Sequence, residues 1–222
     1  MKIKENLTRQ MDIISESSLN RNITIIGAGA IGSSTALALC KMGYERITVI
    51  DFDKVSIENM NSQMYKFSDI GRFKVESLKD IIKEFANVEI NISTGKYEKE
   101  KYKDIVICAV DNMKTRKEVY ENHKNNYNCN LFIDPRMAIE YAYIQAFNPN
   151  IEQQCNMYEK TLFSDADAVQ ERCTNKSTIY TSQLIGATIA KIIKDFTNNK
   201  RYINRIQWDI AENNVLVTTK TG

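Results

Sequence analysis

Six residues constrain this chain more than any other feature: Gly27-Ala28-Gly29-Ala30-Ile31-Gly32. They come after a short β-branched run at residues 22–26 and precede helical spacing over residues 31–42, through Ala36, Leu37 and Cys40, that stops at Gly43. A G-x-G-x-x-G loop between a strand and a helix lets backbone amides and the helix N-terminus face a phosphate. Asp51 ends the next strand, residues 46–51, where a carboxylate can accept hydrogen bonds from ribose hydroxyls. By itself this pattern specifies a nucleotide carrying phosphate, and NAD, FAD and ATP fit it alike.

The rest of the chain continues the alternation. Val75, Leu78, Ile82 and Phe85 recur at intervals of three and four, which predicts a helix over residues 71–87. Residues 88–93 and 104–110 read as strands, the second an apolar run of the kind buried on both faces of a parallel sheet. A polar helix at 112–126 precedes short strands at 131–134 and 142–147. A helix over 179–196, through Ile185, Ile189, Ile192 and Ile193, leads to a closing hairpin at 203–209 and 214–219. The expected fold is α/β, Rossmann-like and doubly wound, with a mainly parallel sheet and C-terminal antiparallel strands. All of residues 1–222 form a single domain in this reading. An N-terminal arm, 1–20, carries an amphipathic helix at 3–17 with Leu7, Met11 and Ile14 on one side, and 148–178, rich in Asn, Gln, Asp and Glu, is expected to be a mobile crossover loop.

Composition excludes other classes. The 30 Lys and Arg nearly cancel 28 Asp and Glu, and the signs are interspersed, so no electropositive face for nucleic acid is expected. The polar N-terminus resembles no signal peptide and no run approaches the ~20 apolar residues of a membrane span, so a cytoplasmic protein is expected. Five cysteines, Cys40, Cys108, Cys129, Cys155 and Cys173, contain no C-x-x-C pair, which argues against a disulfide framework and a structural zinc. Cys40 and Cys108 sit within apolar runs and read as core. The one histidine, His123, lies in a polar helical stretch away from every motif, so histidine acid–base chemistry has no candidate.

The residues downstream of the glycine loop separate the nucleotide readings. Residues 51–63 read D-F-D-K-V-S-I-E-N-M-N-S-Q, residues 69–77 read D-I-G-R-F-K-V-E-S, and Cys108-Ala109-Val110-Asp111-Asn112 is succeeded by Arg116. In this order they resemble the ThiF/MoeB family of ubiquitin-activating-type adenylyltransferases, over roughly residues 5–196. The resemblance implies ATP-dependent adenylation of the C-terminal carboxylate of a ubiquitin-like protein or a small peptide, with release of pyrophosphate, by a homodimer. It places phosphate on the loop Gly27, Gly29, Ala30, Ile31 and Gly32, and ribose on Asp51 beside Asp53. Asn59, Asn61 and Gln63 would line the phosphate pocket, Lys74 would hold the phosphates, and Asp111, with Asn112 beside it, would hold Mg²⁺. Arg116 is expected to pair with a carboxylate or to touch ligand.

The chain departs from the family at Ser62, where relatives carry an arginine that contacts phosphate, and a serine supplies neither its charge nor its fork of donors. Two arginines are candidates to compensate. Arg9 resembles an arginine that family dimers insert into the neighbouring subunit's site. Arg136, at the end of the fifth strand, is expected to reach toward the place vacated at Ser62; an ion pair with Asp134 or Glu140 is the alternative. Cys173-Thr174 resembles a pair that accepts the acyl group as a thioester after adenylation, with Arg172 and Lys176 placed to lower the thiol pKa; an inert thiol is the alternative, and Cys155 in the same loop is a lesser candidate. Two other readings stay open: a non-catalytic nucleotide-binding scaffold subunit, which Ser62 favours, and an NAD-dependent oxidoreductase, which the glycine loop allows.

Overall fold

The computed structural model describes residues 5–10, 12–163 and 177–219. Its elements run β1 (Ile23–Ile26), α1 (Ala30–Lys41), β2 (Ile47–Ile50), α2 (Lys74–Ala86), β3 (Asn91–Ser93), β4 (Asp104–Cys108), α3 (Met113–His123), β5 (Cys129–Ala138), β6 (Tyr141–Phe147), α4 (Glu152–Glu159), α5 (Ile179–Thr197), β7 (Ile203–Asp209) and β8 (Asn214–Thr219). One eight-stranded sheet has the order β3-β2-β1-β4-β5-β6-β7-β8. The pairs from β3 to β5 are parallel and those from β5 to β8 antiparallel. The expected α/β, Rossmann-like sheet with C-terminal antiparallel strands is therefore what the chain forms.

Strand alternation divides the core between two faces. Ile23, Ile25, Ile105, Ile107, Leu131 and Ile133 point to the face covered by Leu39 of α1, Leu78 and Ile82 of α2, and Ile189 and Ile193 of α5. Ile26, Val106, Cys108, Phe132 and Phe147 point to the opposite face, under Val119 and Tyr120 of α3 and Cys155 and Tyr158 of α4. There Phe147 and Tyr158 stack with ring centroids 4.7 Å apart, and Tyr120 meets Tyr158 edge-on at 4.8 Å.

Three expectations need correction. The amphipathic helix at 3–17 is replaced by two 3-10 turns, Glu5–Gln10 and Glu16–Leu19. The arm lies along the C-terminal end of α1 rather than in a groove: Leu7 lies over Gly43, and Gln10 Nε2 donates to the Met42 carbonyl at 2.7 Å. Second, residues 148–178 are not a featureless loop, because α4 lies within them. Its polar composition hides two buried side chains, Cys155 and Tyr158, that close the aromatic cluster. Third, the fifth strand is ten residues long, not four. β4 supports it only as far as the Ile107↔Ile133 pair, whereas β6 pairs with it out to Ala138. Pro135 is tolerated because it lies beyond the end of β4, where the sheet edge is open. Among the described residues no helix is long and apolar enough to cross a membrane.

Candidate active site

The C-terminal ends of β1, β2, β4 and β5 surround a cavity of about 850 Å³, within the range usual for small-molecule sites. It opens at the point where the strand order reverses, between β1 and β4, which is where open α/β sheets bind ligands.

Close packing of backbone shapes the glycine loop. Gly27 has φ +100°, and a Cβ there would lie 2.4 Å from the Ala109 carbonyl oxygen. A Cβ on Gly32 would lie 1.9 Å from the Gly27 oxygen, so α1 can start this close to β1 only on glycine. Gly29 differs, since nothing lies within 4 Å of where its Cβ would be. It is the N-cap of α1, and among the described residues no side chain caps it, so the first amides of α1 are left for a ligand in the cavity.

Asp51 holds that loop. Its Oδ2 accepts the Ala28 N–H at 2.6 Å and its Oδ1 the Asp53 N–H at 2.7 Å. Burial raises its pKa, opposed by those two amides and by Lys74. A carboxylate has about four lone-pair sites, so acceptor capacity remains for hydroxyl donors. Tyr65, which sequence reasoning missed, fixes the other side of the loop by donating its buried hydroxyl to the Ala28 carbonyl at 2.5 Å. Burial holds the Tyr65 hydroxyl well above its ordinary pKa.

Lys74 is the first residue of α2 and is buried, although its helix reads as an exposed one in sequence. A cation at a helix N-terminus opposes the helix dipole. Asp53 offsets this, with Oδ2 3.0 Å from the Lys74 Nζ. Asp111 comes just after β4 and is exposed, accepting from the neighbouring Asn112 amide at 3.1 Å. Because β1 lies between β2 and β4, the cation and the carboxylate border the same cavity from either side of the glycine loop. Asn112 also caps α3, its Oδ1 accepting the Thr115 N–H at 2.8 Å.

Of the residues singled out from sequence, Gly27, Gly29, Ala30, Ile31, Asp51, Asp53, Gln63, Lys74, Asp111, Asn112, Arg116 and Arg136 border the cavity. Gln63 Oε1 is buried with no partner among the described residues. Exchanging the ends of that amide would put an N–H there instead, which suits an anion. Gly32 packs behind the loop rather than on the wall. Asn59 accepts the Ser56 N–H at 2.9 Å in a turn, and Asn61 is exposed to solvent; neither lines the cavity. Arg9 lies with the arm near the far end of α1, about 18 Å from the first turn of that helix. Cys173 lies outside the described residues. Cys155 is buried, with its Sγ 3.3 Å from the Pro149 carbonyl oxygen, and burial raises its pKa, so it is no accessible nucleophile.

Arg116 pairs with a carboxylate as expected, and Arg136 takes the alternative of an ion pair with Asp134. Ser62 is buried, and its carbonyl accepts the Ser182 hydroxyl of α5 at 3.0 Å, away from the cavity wall. Arg136 does not reach toward it. Its Nε donates to Asp134 at 2.9 Å, and its Nη1 and Nη2 donate to the Thr161 carbonyl and hydroxyl at 2.8 and 3.0 Å. Asp134 is fully buried and also pairs with Arg116, with the Tyr158 hydroxyl donating at 3.0 Å. Arg116 donates further to the carbonyls of Cys108 and Pro135 at 3.2 and 3.3 Å, tying the ends of β4 and β5 together. The Asp134–Arg136 pair, two residues apart on β5, is legible in sequence; spacing does not announce that Arg116 of α3 and Tyr158 of α4 join it, because they come from separate elements.

His123 is a core residue rather than part of a polar surface. It is fully buried, stacks on Tyr102 at 5.9 Å, and takes the Tyr102 N–H on Nε2 at 3.1 Å. Burial lowers its pKa.

Among the described residues no three His, Cys, Asp or Glu side chains are grouped to hold a metal ion. One carboxylate beside a glycine loop with uncapped helix amides suits Mg²⁺, which is commonly held by one or two carboxylates together with substrate phosphates and water.

Residues 7–216 match the sequence profile of the ThiF family. Adenylyltransferase and sulfurtransferase MOCS3 of Culex quinquefasciatus is 32% identical over 105 residues, covering 43% of this chain and 24% of that protein. Ubiquitin-like modifier-activating enzyme 5 of Rattus norvegicus is 28% identical over 129 residues, covering 49% of this chain and 32% of the relative. The matched segments thus make up a quarter to a third of these curated relatives. The crystal structure of E. coli MccB with ATP superposes with a TM-score of 0.79 at 15% identity, over 98% of this chain and 72% of that one, a likeness of fold.

Proposed function

This chain belongs to the ThiF family, and from that premise we propose that it adenylates the C-terminal carboxylate of a ubiquitin-like protein or a small peptide with ATP, releasing pyrophosphate. One observation carries the reading: Lys74 and Asp111 flank the uncapped first turn of α1 on a single cavity.

The chemistry asks little acid–base work of the protein. A C-terminal carboxylate, with a pKa of about 3.5, is ionised at neutral pH. Its oxygen attacks the α-phosphorus; the bond from that phosphorus to the bridging oxygen breaks, and its electron pair leaves with pyrophosphate. No proton has to move. Positioning and charge neutralisation remain. The α1 amides and Lys74 face the phosphates, Gln63 presents its amide to them, and Asp51 takes the ribose. Mg²⁺, held at Asp111 when bound, would neutralise charge on the phosphates.

Two further parts of the reading concern Arg9 and Cys173, the second outside the described residues. Arg9 projects from an arm at the opposite end of α1, so it would serve the site of a second copy in a homodimer. Cys173 is proposed as the acyl acceptor: its thiolate attacks the acyl carbonyl, a thioester forms, and AMP leaves. A conjugate cleaved by dithiothreitol in the wild type, and missing from Cys173→Ser, is the expected result; a thiol-sensitive conjugate on Cys173→Ser assigns another acceptor.

ATP–pyrophosphate exchange tests the core reading. Wild-type protein exchanges label with its substrate present, and Lys74→Ala and Asp111→Asn each lower the rate about 100-fold or more. Ser62 favours one competing reading, a scaffold subunit, and tight ATP binding without exchange would select it. Binding of NAD in place of ATP would overturn both.

A further inference from the structure

The cavity extends past the switch point as far as β6. It runs across the strand ends from Asp51 after β2 to Tyr143 on β6, four strand spacings or about 19 Å. For adenylation, the ribose and phosphates occupy the β2, β1 and β4 end. The remaining end, over β5 and β6, is lined by Met137, Ala138, Tyr141, Tyr143 and Phe163, with Arg136 at its inner border.

That end offers ring and aliphatic surface rather than hydrogen bonds. The Tyr143 hydroxyl donates to Gln145, and the Tyr141 hydroxyl accepts the Gln207 amide at 3.2 Å, so both polar tips are engaged elsewhere. Phe163 and Tyr141 remain 42% and 39% exposed at the mouth of the cavity. The Arg136 guanidinium lies over the Tyr143 ring at 5.1 Å, pinned by Asp134 and Thr161. Asp134 takes its Nε and Nη2 and Thr161 its Nη1 and Nη2, which leaves one N–H of the five-donor fork, on Nη1, to meet an anion.

A fixed cation next to an apolar annex is complementary to a chain terminus with a carboxylate and a large apolar side chain. We propose that the activated carboxylate belongs to a residue such as Leu, Met or Phe, whose side chain fills the annex of Tyr141, Tyr143 and Phe163 while its carboxylate lies by Arg136. A terminal glycine would leave those rings against water. This inference rests on the adenylation reading, since only that reaction brings a carboxylate to this point.

The test uses two adenylate mimics, 5′-O-sulfamoyladenosine N-acylated with Gly-Gly-Phe or with Gly-Gly-Gly, titrated against the full chain by calorimetry beside ATP. Burial of the side chain makes the Phe mimic about 10- to 100-fold tighter than the Gly mimic. In Tyr141→Ala and Phe163→Ala the ratio falls several-fold, with the Gly mimic on each variant as its own folding control. Equal binding of both mimics, or tighter binding of the Gly mimic, overturns the inference and leaves adenylation standing. If ATP and both mimics fail to bind the wild type, the adenylation reading falls as well.

Discussion

Asp134 binds Arg136 through Oδ2, 2.9 Å from the guanidinium Nε, while carrying Arg116 on its other oxygen. One buried carboxylate thus serves two cations that both border the cavity, the buried Arg116, which ties strand ends, and the more exposed Arg136. Asp134→Ala leaves Arg116 buried and unpaired, which costs about 3–5 kcal/mol. A fall in Tm of roughly 6–20 °C is expected by circular dichroism for a chain of this size. Arg136→Ala lowers Tm less, because Asp134 then keeps Arg116. A larger loss from Arg136→Ala than from Asp134→Ala would contradict this assignment.

The two helix-side glycines of the loop have opposite roles. Gly32→Ala forces a Cβ into the Gly27 carbonyl and should give little folded protein. Gly29→Ser has room for its side chain and supplies a favourable N-cap, so stability stays within about 1 kcal/mol of wild type. Its hydroxyl would compete for the amides a phosphate needs, and ATP affinity falls about tenfold or more. Thermal unfolding and calorimetry on the same preparation separate the effects; a Gly29→Ser protein that binds ATP normally would remove this loop from the site.

His123 makes stability depend on pH. Its folded pKa lies below the ordinary histidine value of about 6.5, so the unfolded chain binds the proton more readily. The contribution is complete above that value and is lost as pH falls through the window beneath it, by at most about 1.4 kcal/mol per pH unit. Urea midpoints between pH 7.5 and 5 should fall more steeply for wild type than for His123→Gln. Parallel slopes would show that another group controls the pH response.

Arg9 and Lys74 can be separated by complementation. If Arg9 acts on the partner's cavity, Arg9→Ala and Lys74→Ala chains are each inactive alone. Mixed, and paired at random into two-fold dimers, they recover about a quarter of wild-type exchange. A mixture as inactive as its components would place Arg9 outside the reaction.

Much of this molecule was legible in one dimension because its signals are local. β-branched runs and helical spacing depend on neighbours a few residues apart, so β1, α1, α5, β7 and β8 were located to within a residue or two. The glycine loop was legible for a similar reason: a tight turn imposes its demand on consecutive residues. The arm and α4 were misread because the one lacks a partner groove for a helix, and the other hides two core side chains in a polar stretch.

By itself the sequence determined the sheet, the loop and the ordered set of polar residues that assigns the family, since backbone propensity and motif spacing are properties of short segments. Only the tertiary structure decided which of those residues meet. It turned Ser62 toward α5, engaged Arg136 with Asp134 and Thr161, buried His123, and set Tyr141, Tyr143 and Phe163 at the far end of the cavity. The physical reason is that burial and ion pairing are contacts between elements far apart in the chain, and their partners are chosen by how the layers pack.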